Sequence, residues 1–440
     1  MKQDAAGTAT MAQATFEQVR AALNNDAKLW QDFLSICRTG GRLAGSDSEA
    51  AALALCEAAL SDGRHTVHCD PTRYKGWRCN HIALRLADSG ELLDAAPLLG
   101  AAFTPKEGLV LDVVDLGRGT LEQIHAAGAQ LRGKAVLVEH EYPFSSETIH
   151  RRRKLAAIQE AGAAAFLIVQ KEPGIGPVSG SSGRAGAPGI PSVGISLESA
   201  RRLLESGEPL SIELHGEDIP DAQTHTLRIE LPGQTDETIV LSAHLDGHSL
   251  AESALDNATG VAAALALARA YAPIMAHMRR SLTVCLFSAE EWALRGSHEW
   301  LQALAPESKA RMSMNLNLDS LSGSDNLTVL SSGFPVLGQL AQAAAKRVDV
   351  QLGHHVPLMS NSDHANFAAQ GIPAMRLIAG FNEPDSDLKY LLTRADTSRL
   401  AKEAQLRSAT QVAASILWDA LTAEDLSHLK HPLPAEAALS

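Results

Sequence analysis

Histidines and acids standing just past short apolar runs are the chemical signal of this chain. The run Thr238-Ile-Val-Leu-Ser-Ala ends in His244, and Asp246, His248 and Asp256 follow closely. On an extended segment His244 and Asp246 point to one face, so the carboxylate can hold one imidazole N–H while the other ring nitrogen binds a metal. Asp256 adds an oxygen ligand, and a histidine flanked by carboxylates suits a zinc-like ion. Taken singly, a histidine at a strand end reads as a hydrogen-bonded surface residue. The acids further along the chain change that balance.

Two more apolar runs end in the same way. Ser281-Leu-Thr-Val-Cys-Leu-Phe-Ser288 leads to Glu290-Glu291, and Met312-Ser-Met-Asn-Leu-Asn-Leu318 leads to Asp319. Runs of this length and composition predict buried strands, and open α/β sheets gather their sites at the carboxyl ends of such strands. His244, Glu290, Glu291 and Asp319 are therefore expected in one crevice of an α/β fold, with a mixed, mostly parallel sheet flanked by helices. Adjacent glutamates can divide the chemistry, one clamped to a metal and the other free to carry a proton.

The set His244-x-Asp246, Asp256-Asn257, Glu290-Glu291 with Gly296-Ser297, Asp319, and Ser362-Asp-His-Ala-Asn-Phe367 with Gly371-Ile-Pro373 resembles the co-catalytic zinc exopeptidases. That family contains bacterial leucyl-type aminopeptidases and plasma glutamate carboxypeptidase. The resemblance implies a metallo-exopeptidase, of aminopeptidase or carboxypeptidase type, that acts on a small peptide or amino-acid amide. It implies that Asp256 bridges two metals, His244 and Asp319 complete one, and Glu291 binds the other. Glu290 would be the general base, with Asp246 beside it in the catalytic set, and the Asp256-Asn257 peptide would be cis. Zinc is the implied cofactor, as one or two ions, with manganese or cobalt as alternatives.

One position departs from the pattern. The family places a ligand histidine before Thr-x-x-Asp-Thr, but this stretch reads Tyr390-Leu-Leu-Thr-Arg-Ala-Asp-Thr397, which puts Leu392 at the ligand position. The site on Glu291 and Asp256 is then left with two protein ligands. His248, in the loop between two ligands, is the first candidate to replace the missing one, and His364 is the second. The expectation is one tight ion and one weak or absent ion, slightly ahead of full recruitment. The alternative to an enzyme is a catalytically impaired metal- or peptide-binding homologue.

These motifs need a scaffold, and 440 residues with 45% hydrophobic and 20% charged side chains allow two domains or more. A net charge of -13 with no offsetting basic tract argues against nucleic-acid or anionic-membrane partners; Arg151-Arg-Arg-Lys154 reads as a solvated helix face. Residues 1–30 show neither a signal peptide nor a membrane span, so the default compartment is the cytoplasm. Five cysteines in no metal-binding spacing fit reduced thiols, with Cys285 in the core.

The catalytic domain is expected as two segments, 1–98 and 217–440, around an insert at 99–216. In the insert, strand-like runs at 109–116, 134–138, 164–169, 190–195 and 210–214 surround one helix at 148–161. Arg132-Gly-Lys-Ala-Val-Leu-Val and Ile190-Pro-Ser-Val-Gly-Ile195 look like a protease-associated domain, which implies a small β-rich roof over the active-site cleft. The Gly-, Ser- and Pro-rich tract 173–189 is expected as an exposed loop, and the tail from Glu424 as a loosely held end. Gly-Arg-Leu-Ala-Gly-Ser46 is given a structural role at the start of the catalytic domain. His354-His355 are expected at the surface. Arg376 and Arg394 could bind a substrate carboxylate, and no substrate-binding residue is otherwise assigned.

Overall fold

The structure is a computed structural model that describes residues 15–61, 63–184 and 188–430. Strand Thr238–His244 lies inside the main sheet because all but its first residue is buried, the pattern of a strand covered on both faces. It pairs in parallel with Ser281–Phe287 on one side and Met312–Leu318 on the other. The strands expected to end in ligands are thus three adjacent, co-directional strands, and their carboxyl ends share one rim. Beyond Met312–Leu318 the sheet continues through Ala374–Ala379, Leu327–Leu330 and Leu352–His355. The mixed, mostly parallel α/β architecture expected from the sequence is present.

Helix Thr259–Tyr271 follows the first of these strands and is buried at every position except Arg269, so its Ala-rich sequence allows close packing on the sheet. The run Ala254–His277 is long and apolar enough to cross a membrane by composition alone, but 78% of its most apolar window is buried. It is a core helix. Phe16–Asn24, Lys28–Cys37 and Glu403–Thr422 pack around it and close that face.

A long ribbon leads out of the main sheet. Strand Val67–Leu86 pairs antiparallel with Leu210–Leu231 from Val67↔Ile229 to Leu86↔Leu210, with register shifts between Tyr74 and Gly76 and between Cys79 and His81. Its far end meets a second sheet, ordered Ala95–Pro97, Ser192–Ile195, Ala165–Val169, Ala135–Glu139 and Val113–Asp115. This sheet has its own core of Leu137, Leu167, Val193, Ile195 and Leu203. The strands foreseen in the insert are found, and the foreseen helix is Arg151–Glu160. Helices Leu121–Ala127 and Leu197–Ser206 and the strand Val67–Leu86 were not foreseen.

Three local expectations are corrected. Lys154 is not solvated: it is buried, its ammonium 2.6 Å from Glu141 and donating to the carbonyl oxygens of Arg118 and Glu139. The tract 173–189 forms no regular element, but Pro177 to Gly180 are buried, because the Ser179 N–H reaches across to the Leu392 carbonyl at 2.8 Å; residues 185–187 lie outside the described residues. The tail from Glu424 is held as far as Lys430, since Leu426 and Leu429 insert into the main core. The remainder of that tail, from residue 431, lies outside the described residues.

Candidate metal and active site

His244 ends its strand with a fully buried ring whose Nε2 lies 3.1 Å from Asp256 Oδ1 and 3.6 Å from Asp319 Oδ1. Its Nδ1 faces the Asp246 carbonyl oxygen at 3.1 Å. A carbonyl can only accept, so Nδ1 carries the proton and Nε2 keeps its lone pair for a ligand position. The side chain of Asp246 was expected to do this holding and does not. Its carboxylate is 3.9 Å from Nδ1 and instead accepts the N–H groups of Glu290, at 3.0 Å, and Glu291, at 3.2 Å. The strand ends at His244, so the spacing argument does not reach Asp246, which instead orients the two glutamates.

His248 sits on the loop beyond this strand. Its Nε2 and Glu291 Oε1 are 2.6 Å apart, yet they are not aligned as a hydrogen bond, and both atoms are buried without a hydrogen-bond partner among the described residues. Two such atoms side by side, each with a lone pair to offer, fit a shared cation. His248, Asp256 and Glu291 form one group whose ligand atoms lie within 4.8 Å of one another, and His244, Asp256 and Asp319 form another. Asp256 belongs to both. Glu290 makes a third group with His244 and Glu291.

The loop bearing His248 is clamped by a residue read as merely structural. Arg42 is fully buried and donates to the carbonyl oxygens of Leu245 at 2.8 Å, Glu252 at 2.6 Å and Ser253 at 2.7 Å. Gly41 lies against the His248 carbonyl so closely that a Cβ would stand 1.7 Å from its oxygen. Asp256 is fixed from the other side: Asp396 accepts the N–H groups of Leu255 and Asp256. The Asp256-Asn257 peptide is cis, and the Asn257 side chain bonds to Leu318 O, Gly260 N and Ser320 N.

Charge is distributed unevenly across the site. Burial works to raise the Asp319 carboxyl, but Arg376, at 3.1 Å, and His244 outweigh it and hold the group well below the usual carboxylate range. Burial likewise opposes ionisation of Glu291, and His248 overcomes it, so its net shift is downward. Glu290 has no such partner among the described residues. Burial, reinforced by Glu291, holds its carboxyl well above the ordinary value despite His244.

Other candidates fall elsewhere. His364 is fully buried but joins none of the ligand groups among the described residues; burial, then Arg376, pushes its imidazole down to about 3. Leu392 lines the cleft at the position where a ligand was expected. His354 pairs with Ser331 and His355 packs on Phe381. Arg394 makes a two-pronged pair with Asp94, at 2.9 Å on both prongs, next to the strand Ala95–Pro97 of the second sheet.

The sequence reading missed a group on the insert. His150, Arg151 and Arg152 line the same cleft as Asp256, Glu290, Glu291 and Asp319. A signal was available, since helix first turns favour acids and this one opens with Arg-Arg-Arg.

A mostly parallel sheet with histidines and carboxylates gathered beyond its strand ends, and a smaller inserted domain lining the same cleft, resembles the co-catalytic zinc exopeptidases. Residues 227–417 match peptidase family M28, and residues 101–203 match the PA domain. Within the main domain the chain is thus similar to peptidase family M28, and its insert is similar to the PA domain. It is 25% identical over 318 residues to carboxypeptidase Q of Bos taurus, covering 69% of this chain and 66% of that protein. It is 23% identical over 398 residues to aminopeptidase YwaD of Bacillus subtilis (strain 168), covering 88% and 82%. Matches to the carboxypeptidase Q sequences of Bos taurus, Rattus norvegicus and Mus musculus span 66%, 59% and 60% of their lengths. Among solved structures, a peptidase M28 precursor from Shewanella amazonensis SB2B superposes with a TM-score of 0.78 at 22% identity, over 95% of this chain and 98% of that one. A zinc aminopeptidase from Bacillus subtilis gives 0.73 at 19%, over 94% and 97%.

Proposed function

We propose that the chain is a metal-dependent exopeptidase that hydrolyses a peptide or related amide bond, with Glu290 as general base. The observation that carries this reading is the sharing of Asp256 by two ligand triads, each of three donors. His244, Asp256 and Asp319 would hold one ion, and His248, Asp256 and Glu291 the other. Divalent cations there would lower the pKa of a water and polarise the scissile carbonyl. Imidazole and carboxylate donors suit zinc, the metal named for the Bacillus subtilis neighbour; manganese or cobalt would also fit such a set.

Glu290 is the residue to move the proton. Glu291 stands beside His248 in the second ligand group, whereas Glu290 is buried, has no cationic side chain bonded to it among the described residues, and has its carboxyl held above the ordinary value by burial. A base of that kind accepts a proton from the attacking water and returns it to the departing amine. Asp246 supports this role by fixing the backbone of both glutamates.

With His248 beside Glu291, we place two ions ahead of the single tight ion that Leu392 alone suggested, and the ground for an impaired homologue weakens. The cysteines are free thiols, which supports a reducing compartment such as the cytoplasm. The test is a screen of amino-acid amides, dipeptides and N-acyl amino acids with added zinc, manganese or cobalt. Metal-dependent hydrolysis that disappears in Glu290→Gln supports the reading; a chain that binds two ions and cleaves none of these compounds overturns it.

A further inference from the structure

We infer that the cleft recognises a free carboxylate on the substrate, next to the scissile bond, through Arg151 and its neighbours on the inserted domain. Dipeptides and N-acyl amino acids would then be preferred to the matching amides. This inference rests on the exopeptidase reading and names its substrate class.

The acids lining the cleft are Asp256, Glu290, Glu291 and Asp319, and each already has a place in the triads or as the base. Among the described residues no further carboxylate lines it, so no unassigned acid is present to receive a substrate ammonium group. The charged groups that remain are basic. Arg376 is engaged by Asp319. His150, Arg151 and Arg152 come from the insert and face the acids across the cleft.

Arg151 is built into this position. Its Nε–H donates to the Ser181 carbonyl at 3.0 Å, and its guanidinium lies flat over Gly180, where a Cβ would come within 2.2 Å of Nη2. Any residue but glycine there would push the guanidinium away. Among the described residues Arg151 makes no other hydrogen bond and no ion pair, so its terminal amino groups are left for the cleft. Burial, then Arg152, pushes the group down to about 10, while Glu291, Glu290 and Asp256 act in the opposite direction across the cleft. Those acids do not need it once ions are bound: the three carboxylates of the two triads and Glu290 are balanced by the charge of two divalent cations. An arginine that has no ion-pair partner among the described residues and faces a neutralised centre calls for an anion, and the planar fork of a guanidinium matches a carboxylate.

His150 adds a neutral donor. Its Nδ1 accepts the Arg152 N–H at 3.2 Å, which puts the ring proton on Nε2. A cationic fork with a neutral N–H beside it fits a carboxylate better than an ammonium group, which would be repelled by the arginines.

The test compares an alanyl dipeptide with its C-terminal amide on the full-length, metal-reconstituted chain. Wild type is expected to prefer the acid. Arg151→Gln should lower kcat/KM for the acid about ten- to a hundred-fold and leave the amide within about two-fold, the loss of one charge-assisted hydrogen-bonded pair, and Arg151→Lys should restore part of it. A wild-type preference for the amide, or equal losses on both substrates, overturns the inference. Should Arg151→Gln fail to fold, Arg152→Gln is read by the same acid-to-amide ratio. If neither compound is cleaved, the exopeptidase reading fails, and calorimetric titration with N-acetylalanine and its amide still decides the subsite. Acid-selective binding that Arg151→Gln abolishes sustains it, and equal binding of acid and amide overturns it.

Discussion

Replacing His248 by alanine removes one of the three donors around the second proposed ion and leaves Asp256 and Glu291. The first triad keeps His244, Asp256 and Asp319 intact. A four-ligand structural zinc site is worth about 10–16 kcal/mol in apparent binding free energy, or about 2.5–4 kcal/mol for each ligand. Loss of one donor should therefore weaken the second ion by about two to three orders of magnitude. Dialysis against a graded series of chelator concentrations, with metal per chain measured by mass spectrometry, reads this directly. The expected result is a fall from two ions to one in His248→Ala. Leu392 lines the same cleft, so adding Leu392→His to that variant should raise occupancy again. Two ions in His248→Ala, held as firmly as in the wild type, would refute the assignment of His248 as a ligand.

Glu290→Gln should reduce kcat by about 10²- to 10⁴-fold, the usual contribution of a general base, with both ions retained by metal analysis. Arg42→Met should remove the side-chain donor to the carbonyl oxygens of Gly40, Leu245, Glu252 and Ser253, at about 1–3 kcal/mol for each buried acceptor left without a partner; a lower thermal midpoint is expected, together with faster release of the second ion than of the first by stopped-flow chelation. The pH dependence of stability should carry the mark of His140 and His364. Burial, followed by Arg151 and Lys154 for His140 and by Arg376 for His364, pushes both down to about 3 from the ordinary 6.5. The unfolded chain then takes up protons that the folded chain refuses, so their contribution is present above 6.5 and is lost as pH falls from there toward 3. Thermal melts between pH 7 and 5 should show a falling midpoint, shallower in His140→Gln.

The sequence marked the strand ends well because parallel strands buried on both faces must be nearly continuous apolar runs, so the first polar residue after each is conspicuous. His244, Glu290 and Asp319 were visible for that reason. Strand Val67–Leu86 was invisible because one of its faces meets solvent and two register shifts break its alternation; it also contains Pro71 and Gly76. His248 could be proposed only by elimination, since a loop has no period, and its approach to Glu291 depends on Arg42, about two hundred residues earlier in the chain. Arg151 was misread because three consecutive arginines on a helix resemble a solvated face unless the helix end is known to meet a cleft. Asp246 was assigned the right neighbourhood and the wrong partner, since spacing along a strand says nothing about where the backbone turns once the strand has ended.

The ribbon that joins the two domains has a consequence for the order in which the chain assembles. Its pairing from Val67↔Ile229 to Leu86↔Leu210 brings together segments that emerge far apart during synthesis, and closing so long a loop in an unstructured chain is slow. The insert shortens that search. Once its sheet has collapsed, Leu86 and Leu210 are neighbours, and the ladder can zip from that end toward Val67, one pair at a time. Leu210–Leu231 also pairs with Ser281–Phe287, so the last pairs to close deliver the insert's return strand to the growing main sheet. This topology favours assembling the roof first, so that it guides the walls into register.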